Sequence, residues 1–547
     1  MPTLRKDANQ ELIDTLDELE NTADECWRPL SLLNYPSDHA SWALLVRAVE
    51  RVEQHRRGLP PDTPPSGAML ANLSRATAIA LRWTGHYAQV PGPGIREWDA
   101  ELAEAADQAI AVGNNYSHFE VCFQGFHKDL YAAEIVAPSR IRFTGDTMPR
   151  YRQVRAFQQY ASLRPPPVGV AQPLAEVETP RVRRLMEATL HACRRVSPLQ
   201  FEYDDAWELW REMFPHNHER VRGLTRRAGD LTLGPFTLDE FGAVYAAIVT
   251  VASVHDFLCF CWGQSCRVYP LESAVIVRTR SAWVGALSEL SGITREKCAN
   301  VLSDLTFDTR RSVDLHVHPM VQIDAPHDRL AVAPPFPLHA NHDENILRVC
   351  SQRRRQVFDV VSGGKEAEMF EALRPSVSRY ALQESVALPD GNPDIDLIIA
   401  DDTSSTVVLA ELKWIRKPLR ALEIPDRDAD VMKGIDQLQL IRTFLRANPR
   451  HLRDQRRLSR PLTDYERVHY LLIARDHWRW VDPGDQIASV QFDAFAQILG
   501  HSDNLRAAMD ELLRYDWLPI EGTNFAVRFE SAGVNGVSLE SEVFYSI

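Results

Sequence analysis

Residues Asn392 to Trp414 read NPDIDLIIADDTSSTVVLAELKW, and this stretch organises the rest of the chain. Two short apolar runs, Ile395–Ala400 and Val407–Ala410, are rich in β-branched residues and bounded by turn chemistry. The pattern predicts two strands buried on both faces and joined by a hairpin through Asp401-Asp402-Thr403-Ser404-Ser405. Charges intrude at three places: Asp396 opens the first run, and Glu411 and Lys413 close the second. Unpaired charges in a buried strand cost several kcal/mol each, so these three are expected to pair with one another or with a metal.

Glu411 and Lys413 are two residues apart and share one face of a strand, whereas Ala410, Leu412 and Trp414 point to the other layer. A hairpin returns Asp396 to a position opposite Glu411. Two carboxylates, one ammonium and the Leu412 backbone carbonyl then meet at one spot. Hard oxygens of this kind suit Mg²⁺, or Mn²⁺ in its place. A lysine beside them can hold a water for attack on phosphorus.

These residues resemble the PD-(D/E)xK, or restriction-endonuclease-like, nuclease superfamily: Pro393-Asp394 with Asp396, then Glu411-Leu412-Lys413. A helix is expected over Asp428–Leu445, with Lys433 and Gln437 four apart on one face. Many members carry a glutamine there, often with a tyrosine four residues later, a position filled here by Ile441. A preceding helix, in GGKEAEMFEALRP, is where the family commonly places a further glutamate; Glu371 is the first choice and Glu368 the alternative. The likeness covers roughly Val357–Arg475. It implies a metal held by Asp396, Glu411, the Leu412 carbonyl and Glu371. It also implies Lys413 orienting the attacking water, and Gln437 positioning Lys413 or a phosphate.

The remaining sequence sets the context. At 547 residues the chain should hold several domains. No apolar run approaching the length of a membrane span stands out, and the first twenty residues contain no signal-peptide core, so a cytoplasmic location is expected. Eight scattered cysteines do not form a disulfide framework. A net charge of −14 argues against a protein that coats nucleic acid non-specifically, but it allows a local basic face. Candidates for that face are Arg353–Arg355, Arg416–Arg420 and the arginines between Arg450 and Arg460.

The expected architecture is multidomain. It has a helical region over 1–165, a second mainly helical region over 180–335, and an α/β restriction-endonuclease-like domain with a mixed central sheet over 340–547. The last segment, Phe525–Ile547, is expected to close that domain as a hairpin or short sheet. Short strands are expected at Phe119–Phe123 and Ile141–Thr144, and a strand at Asp314–Ile323. Helices are expected at Leu238–Cys261, Ser273–Leu290 and Thr294–Leu305.

Three further groups could carry chemistry. His255, Cys259, Cys261 and Cys266 are potential zinc ligands, but their spacing fits no common module and core packing is the simpler reading. Asp314, His316 and His318 would share one side of a strand, where an H-x-H pair can bind metal. Helix Thr294–Leu305 with the following strand could form part of a winged helix carrying Arg295 and Lys297, although packing is the expected role.

The leading expectation is therefore a metal-dependent nuclease acting on nucleic acid, with DNA favoured. The joining of a large helical half to such a domain resembles phage-defence or restriction effectors by architecture alone. A homo-oligomer would supply the two sites a double-strand cut needs. The alternatives are an inactive nuclease fold that binds nucleic acid, and a structural protein in which the three charges are only a salt-bridged network.

Overall fold

The computed structural model describes residues 10–58, 67–88, 98–145, 152–157, 179–197, 199–222, 230–310, 314–353, 355–389, 391–415, 423–475 and 487–546. The chain is mainly helical in its first half and carries a mixed sheet in its C-terminal region.

The helical part begins with α1 (Gln10–Asp24), α2 (Ser37–Arg57), α3 (Gly67–Tyr87) and α4 (Ala100–His127), followed by strands β1 (Ala132–Ala137) and β2 (Arg140–Thr144). The strand expected at Phe119–Phe123 lies inside α4 instead. Phe119, Cys122, Phe123 and Phe126 are all buried, which is helical spacing, and the short aromatic run is compatible with either period. Next come α5 (Pro180–Ala192), β3 (Arg194–Ser197), β4 (Gln200–Glu202), α6 (Trp207–Val221) and the long α7 (Leu238–Cys266). Thr237 opens α7 through a capping box with Glu240. By length and composition α7 could cross a membrane, contrary to the expectation that no such segment exists; 78% of its most apolar window is buried inside the protein, as in a core helix.

Strand β5 (Ile276–Thr279) interrupts the helix expected at Ser273–Leu290, and α8 (Arg280–Ser291) starts only where Thr279 caps it. After α9 (Arg295–Asp304), β6 (Met320–Asp324) and β7 (Arg329–Val332) complete a sheet in the order β5-β7-β6. Residues 315–317 form a turn, so Asp314, His316 and His318 do not share a strand face.

Helices α10 (His342–Arg353) and α11 (Arg355–Val377) lead to the mixed sheet. Its strands are β8 (Ala381–Val386), β9 (Ile395–Asp401), β10 (Thr406–Trp414), β11 (Arg467–Arg475) and β12 (Ile487–Gln491), in the order β12-β11-β10-β9-β8. The first three in sequence are antiparallel neighbours, and β11 and β12 run parallel to β10. The β9–β10 turn forms because the Asp401 carboxylate accepts from the Thr403 N–H at 3.0 Å and from the Ser404 hydroxyl at 2.6 Å. Helix α12 (Ile424–Ala447) covers one face through Val431, Ile435, Leu438 and Ile441, which pack on Ile398, Val407 and Leu409. The other face, including Val408, Ala410 and Leu412, packs on α11 with α13 (Phe492–His501) and α14 (Leu505–Arg514).

The C-terminal hairpin, β13 (Phe525–Val534) and β14 (Val537–Ser546), forms as expected but joins a different sheet. Strand β14 runs parallel to β2, giving the order β1-β2-β14-β13, and Val534, Val537 and Leu539 enter the core of the helical part. The end of the chain thus contributes structure to the region where it begins.

Candidate active site

The β9–β10 ladder pairs Ala410 with Leu397, so its next step sets Glu411 opposite Asp396. The backbone N–H of Leu412 donates to the Asp396 carboxylate at 2.8 Å, fixing Asp396 against β10. Glu411 and Lys413 project on the α12 side of the sheet, as the alternation requires, and Lys413 Nζ lies 2.7 Å from Glu411 Oε1. The Glu411 side chain is 3% exposed and that of Lys413 20%. Asp396, Glu411, the Leu412 backbone and Lys413 thus meet at one end of the sheet.

The electrostatics follow from burial. Desolvation, and then the nearby Asp396 charge, push the Glu411 carboxyl up to about 7. Asp396 is also raised by burial, against the pull of the Leu412 N–H and the Lys413 ammonium. Burial works against the charge on Lys413, yet Glu411, with help from Glu366 and Asp396, holds its pKa above the ordinary value. Glu411 Oε2 is buried and has no hydrogen-bond donor. An orphaned carboxylate oxygen beside a second carboxylate needs a shared proton or a cation, so the donor set fits a hard divalent ion.

The helix glutamate is the point where sequence reasoning missed. Glu371 is exposed and pairs with Arg374 at 3.2 Å, and Glu368 pairs with Lys365 at 2.9 Å. It is Glu366 that faces the cluster: burial and the charge of Asp396 raise its pKa, while Lys413 and the Trp414 backbone N–H pull it down. Glu366 is one helical turn and more from Glu371 along α11, so the signal lay in the helix register rather than in residue type. Its oxygens do not come close enough to join Asp396 and Glu411 in a compact three-ligand group. Glu366→Gln is therefore expected to weaken divalent-ion binding about tenfold, as removal of an outer partner does, and Glu371→Gln to leave it unchanged. Calorimetric titration with Mn²⁺ checks both.

Gln437 sits half-buried on α12, and its Oε1 is buried without a hydrogen-bond partner. One turn earlier, Gly434 lies against Lys413: a Cβ there would come 3.3 Å from Lys413 Cε and 2.6 Å from Leu472 Cδ1. The absent side chain lets the lysine stem lie between helix and sheet. Lys433 is exposed, and Ile441 is buried in the sheet-facing core.

The arginines of 450–460 lie elsewhere. Ser459 donates to Asp402 at 2.8 Å and Arg460 to Ser405 at 3.0 Å, which places this segment at the β9–β10 turn. The length of β10 separates that turn from Lys413 by about 23 Å at ~3.3 Å per residue. Arg416–Arg420 and the side chains of Arg353–Arg355 lie outside the described residues.

The other candidate groups have structural partners. His255 accepts from the Tyr203 hydroxyl at Nδ1 and donates from Nε2 to the Ser273 carbonyl, so both ring nitrogens are used beside Cys259, while Cys261 projects from another side of α7 and Cys266 lies about two turns farther along it. Asp314 accepts from Ser74 and lies 3.1 Å from His316 Nδ1. Lys297 of α9 pairs with Glu240 at 2.5 Å, consistent with packing against α7. Asp17, Glu20 and His127 are the one group of three potential ligands within 4.8 Å of one another among the described residues. They join α1 to α4 through a His127–Glu20 contact of 2.6 Å.

No protein-family model matches this chain, and no curated protein or solved structure matches it either.

Proposed function

We propose that the C-terminal region is a divalent-metal-dependent nuclease of the restriction-endonuclease-like kind, hydrolysing phosphodiester bonds with DNA as the favoured substrate. The observation that carries this reading is the convergence of Asp396, Glu411 and Lys413 at the end of a mixed sheet, with the Glu411 Oε2 oxygen left without a donor. The strand order, with an antiparallel β8-β9-β10 meander continued by parallel β11, accords with it.

Asp396 and Glu411, with the Leu412 carbonyl, would hold Mg²⁺ or Mn²⁺. When bound, the ion supplies Lewis-acid stabilisation of the charge that builds on phosphate oxygens. Lys413 orients the attacking water with its ammonium and offsets negative charge on the non-bridging oxygens, an effect strengthened by its partly buried position. Asp396 is held in place by the Leu412 N–H, so its orientation is set before substrate arrives. Glu366 assists Glu411 in holding Lys413 in its charged form, from the α11 side. Gln437 offers an unpaired carbonyl oxygen from α12, which suits a positioning role.

The helical half would supply recognition or regulation, as in defence or restriction effectors of similar architecture. The test is incubation of the full chain with supercoiled plasmid, linear duplex, single-stranded DNA and RNA, in Mg²⁺, Mn²⁺ or EDTA. Metal-dependent strand scission supports the reading and identifies the substrate. Nucleic-acid binding without scission in any metal favours an inactive nuclease fold.

A further inference from the structure

Strand β13 lies at the edge of its sheet, paired only with β14. The hairpin closes through Asn535 and Gly536, with φ of 47° and 79°, a two-residue turn that makes Val534 and Val537 a hydrogen-bonded pair. The even-numbered residues of β13 therefore bond to β14, and the odd-numbered ones direct N–H and C=O outward. Two contacts bear this out. The Phe525 carbonyl accepts from the Gly522 N–H at 2.8 Å, and the Gly533 carbonyl accepts from the Asn115 side chain at 3.1 Å. Between these occupied ends, the outward backbone groups of Val527, Phe529 and Ser531 have no partner among the described residues. Residues Arg528 to Ser531 are all exposed, and the Phe529 side chain is 42% exposed.

An edge of this kind pairs readily with another strand. We propose that its occupant is the same strand of a second copy of this chain, antiparallel about a two-fold axis at Phe529. That register makes Phe529–Phe529 and Val527–Ser531 the hydrogen-bonded pairs, matching the outward parity. It also sets Arg528 of each copy opposite Glu530 of the other. These fall at non-hydrogen-bonded positions, where side chains approach most closely. Moving the axis by one residue keeps the parity but sets Arg528 or Glu530 opposite its own copy, and moving it by two places Arg528 opposite Ala526 or Val534 and Glu530 opposite Asn524 or Ala532. Charge thus selects one register, and the contact is isologous and closes as a dimer. Within one chain both side chains already flank Tyr545: Glu530 accepts from its hydroxyl and Arg528 lies over its ring at 5.3 Å. They are therefore held on one face of the edge. The opposite edge of the sheet is less suited, because β1 carries a register break between Ile135 and Ala137.

The experiment is sedimentation velocity on the full chain over a concentration series, with Glu530→Arg, Arg528→Glu and the double exchange, and with circular dichroism melts to control for folding. Wild type is expected to dimerise. Each single variant, which brings like charges together, is expected to raise the dimer Kd by about tenfold or more. The double exchange restores dimerisation, and so does mixing the two single variants. A wild type that stays monomeric throughout the series overturns the proposal. So does a dimer indifferent to Glu530→Arg, or a double exchange that stays dissociated with its fold intact.

Discussion

Lys413→Ala is expected to reduce metal-dependent cleavage by about a hundred- to a thousandfold, the scale seen when a preorganised group is removed from a developing oxyanion. The fold should survive, because Lys413 lies at the end of β10 and its side chain keeps 20% of its surface exposed. The cost to stability depends on pH. Without the ammonium, Glu411 loses its charged partner and is pushed further upward, so it stays protonated over a wider range. At pH 5 the variant should therefore melt close to wild type, and at pH 8 measurably lower. Lys413→Arg preserves the charge but replaces a compact ammonium with a planar fork, and Gly434 leaves room only for a slender stem, so it should not restore activity. Plasmid nicking with the variants side by side, and melts at both pH values, check these statements. An active Lys413→Ala protein would remove Lys413 from the mechanism.

The hairpin and its three charges were legible because their signals are local. Alternating faces put Glu411 and Lys413 together and Leu412 apart, and a turn of fixed length returned Asp396 to its partner. The helix contribution was less legible. Helical periodicity marks which residues face inward, but it does not say which turn of α11 stands level with the end of β10. Glu366, Glu368 and Glu371 are chemically alike in sequence; packing decides that Glu366 faces Lys413 while Glu371 faces Arg374.

Long-range pairing was the least legible part. The hairpin Phe525–Ser546 declares itself through alternation and Asn535-Gly536, but nothing local says which sheet it joins. Its parallel partner, Arg140–Thr144, lies almost four hundred residues away. The ion pairs of Glu540 with Arg140 and Arg142 form only once that register exists. The same limit explains the helix over Phe119–Phe123. Five residues with three aromatic or branched side chains satisfy both periods, and contacts such as Phe123 on Phe143 decide between them.

Glu411→Gln separates the two remaining readings of the charged cluster most sharply. In the folded protein without metal, Glu411 holds its proton up to about pH 7, against an ordinary value of 4.5. A group whose pKa is raised by folding stabilises the protein most when protonated. Its contribution is therefore fully present below pH 4.5 and is lost as pH rises through about 7. At ~1.36 kcal/mol per pH unit, the swing is at most about 3 kcal/mol. The wild-type melting temperature in EDTA should fall between pH 5 and pH 7.5. Glu411→Gln should flatten that fall and melt above wild type at pH 8, because the amide does not repel Asp396, and Asp396 with Glu366 still neutralises Lys413. Divalent ion should reverse the order at pH 8. Mg²⁺ bound to the folded state raises the wild-type melting temperature by mass action. It should do so little for Glu411→Gln, which is also expected to be inactive. A purely structural salt-bridged network gives no response to Mg²⁺ in either protein. Scanning fluorimetry across pH with EDTA or Mg²⁺ distinguishes the cases. Parallel pH curves for the two proteins would show that Glu411 does not share its site with Asp396, and the proposed ion site would fall with it.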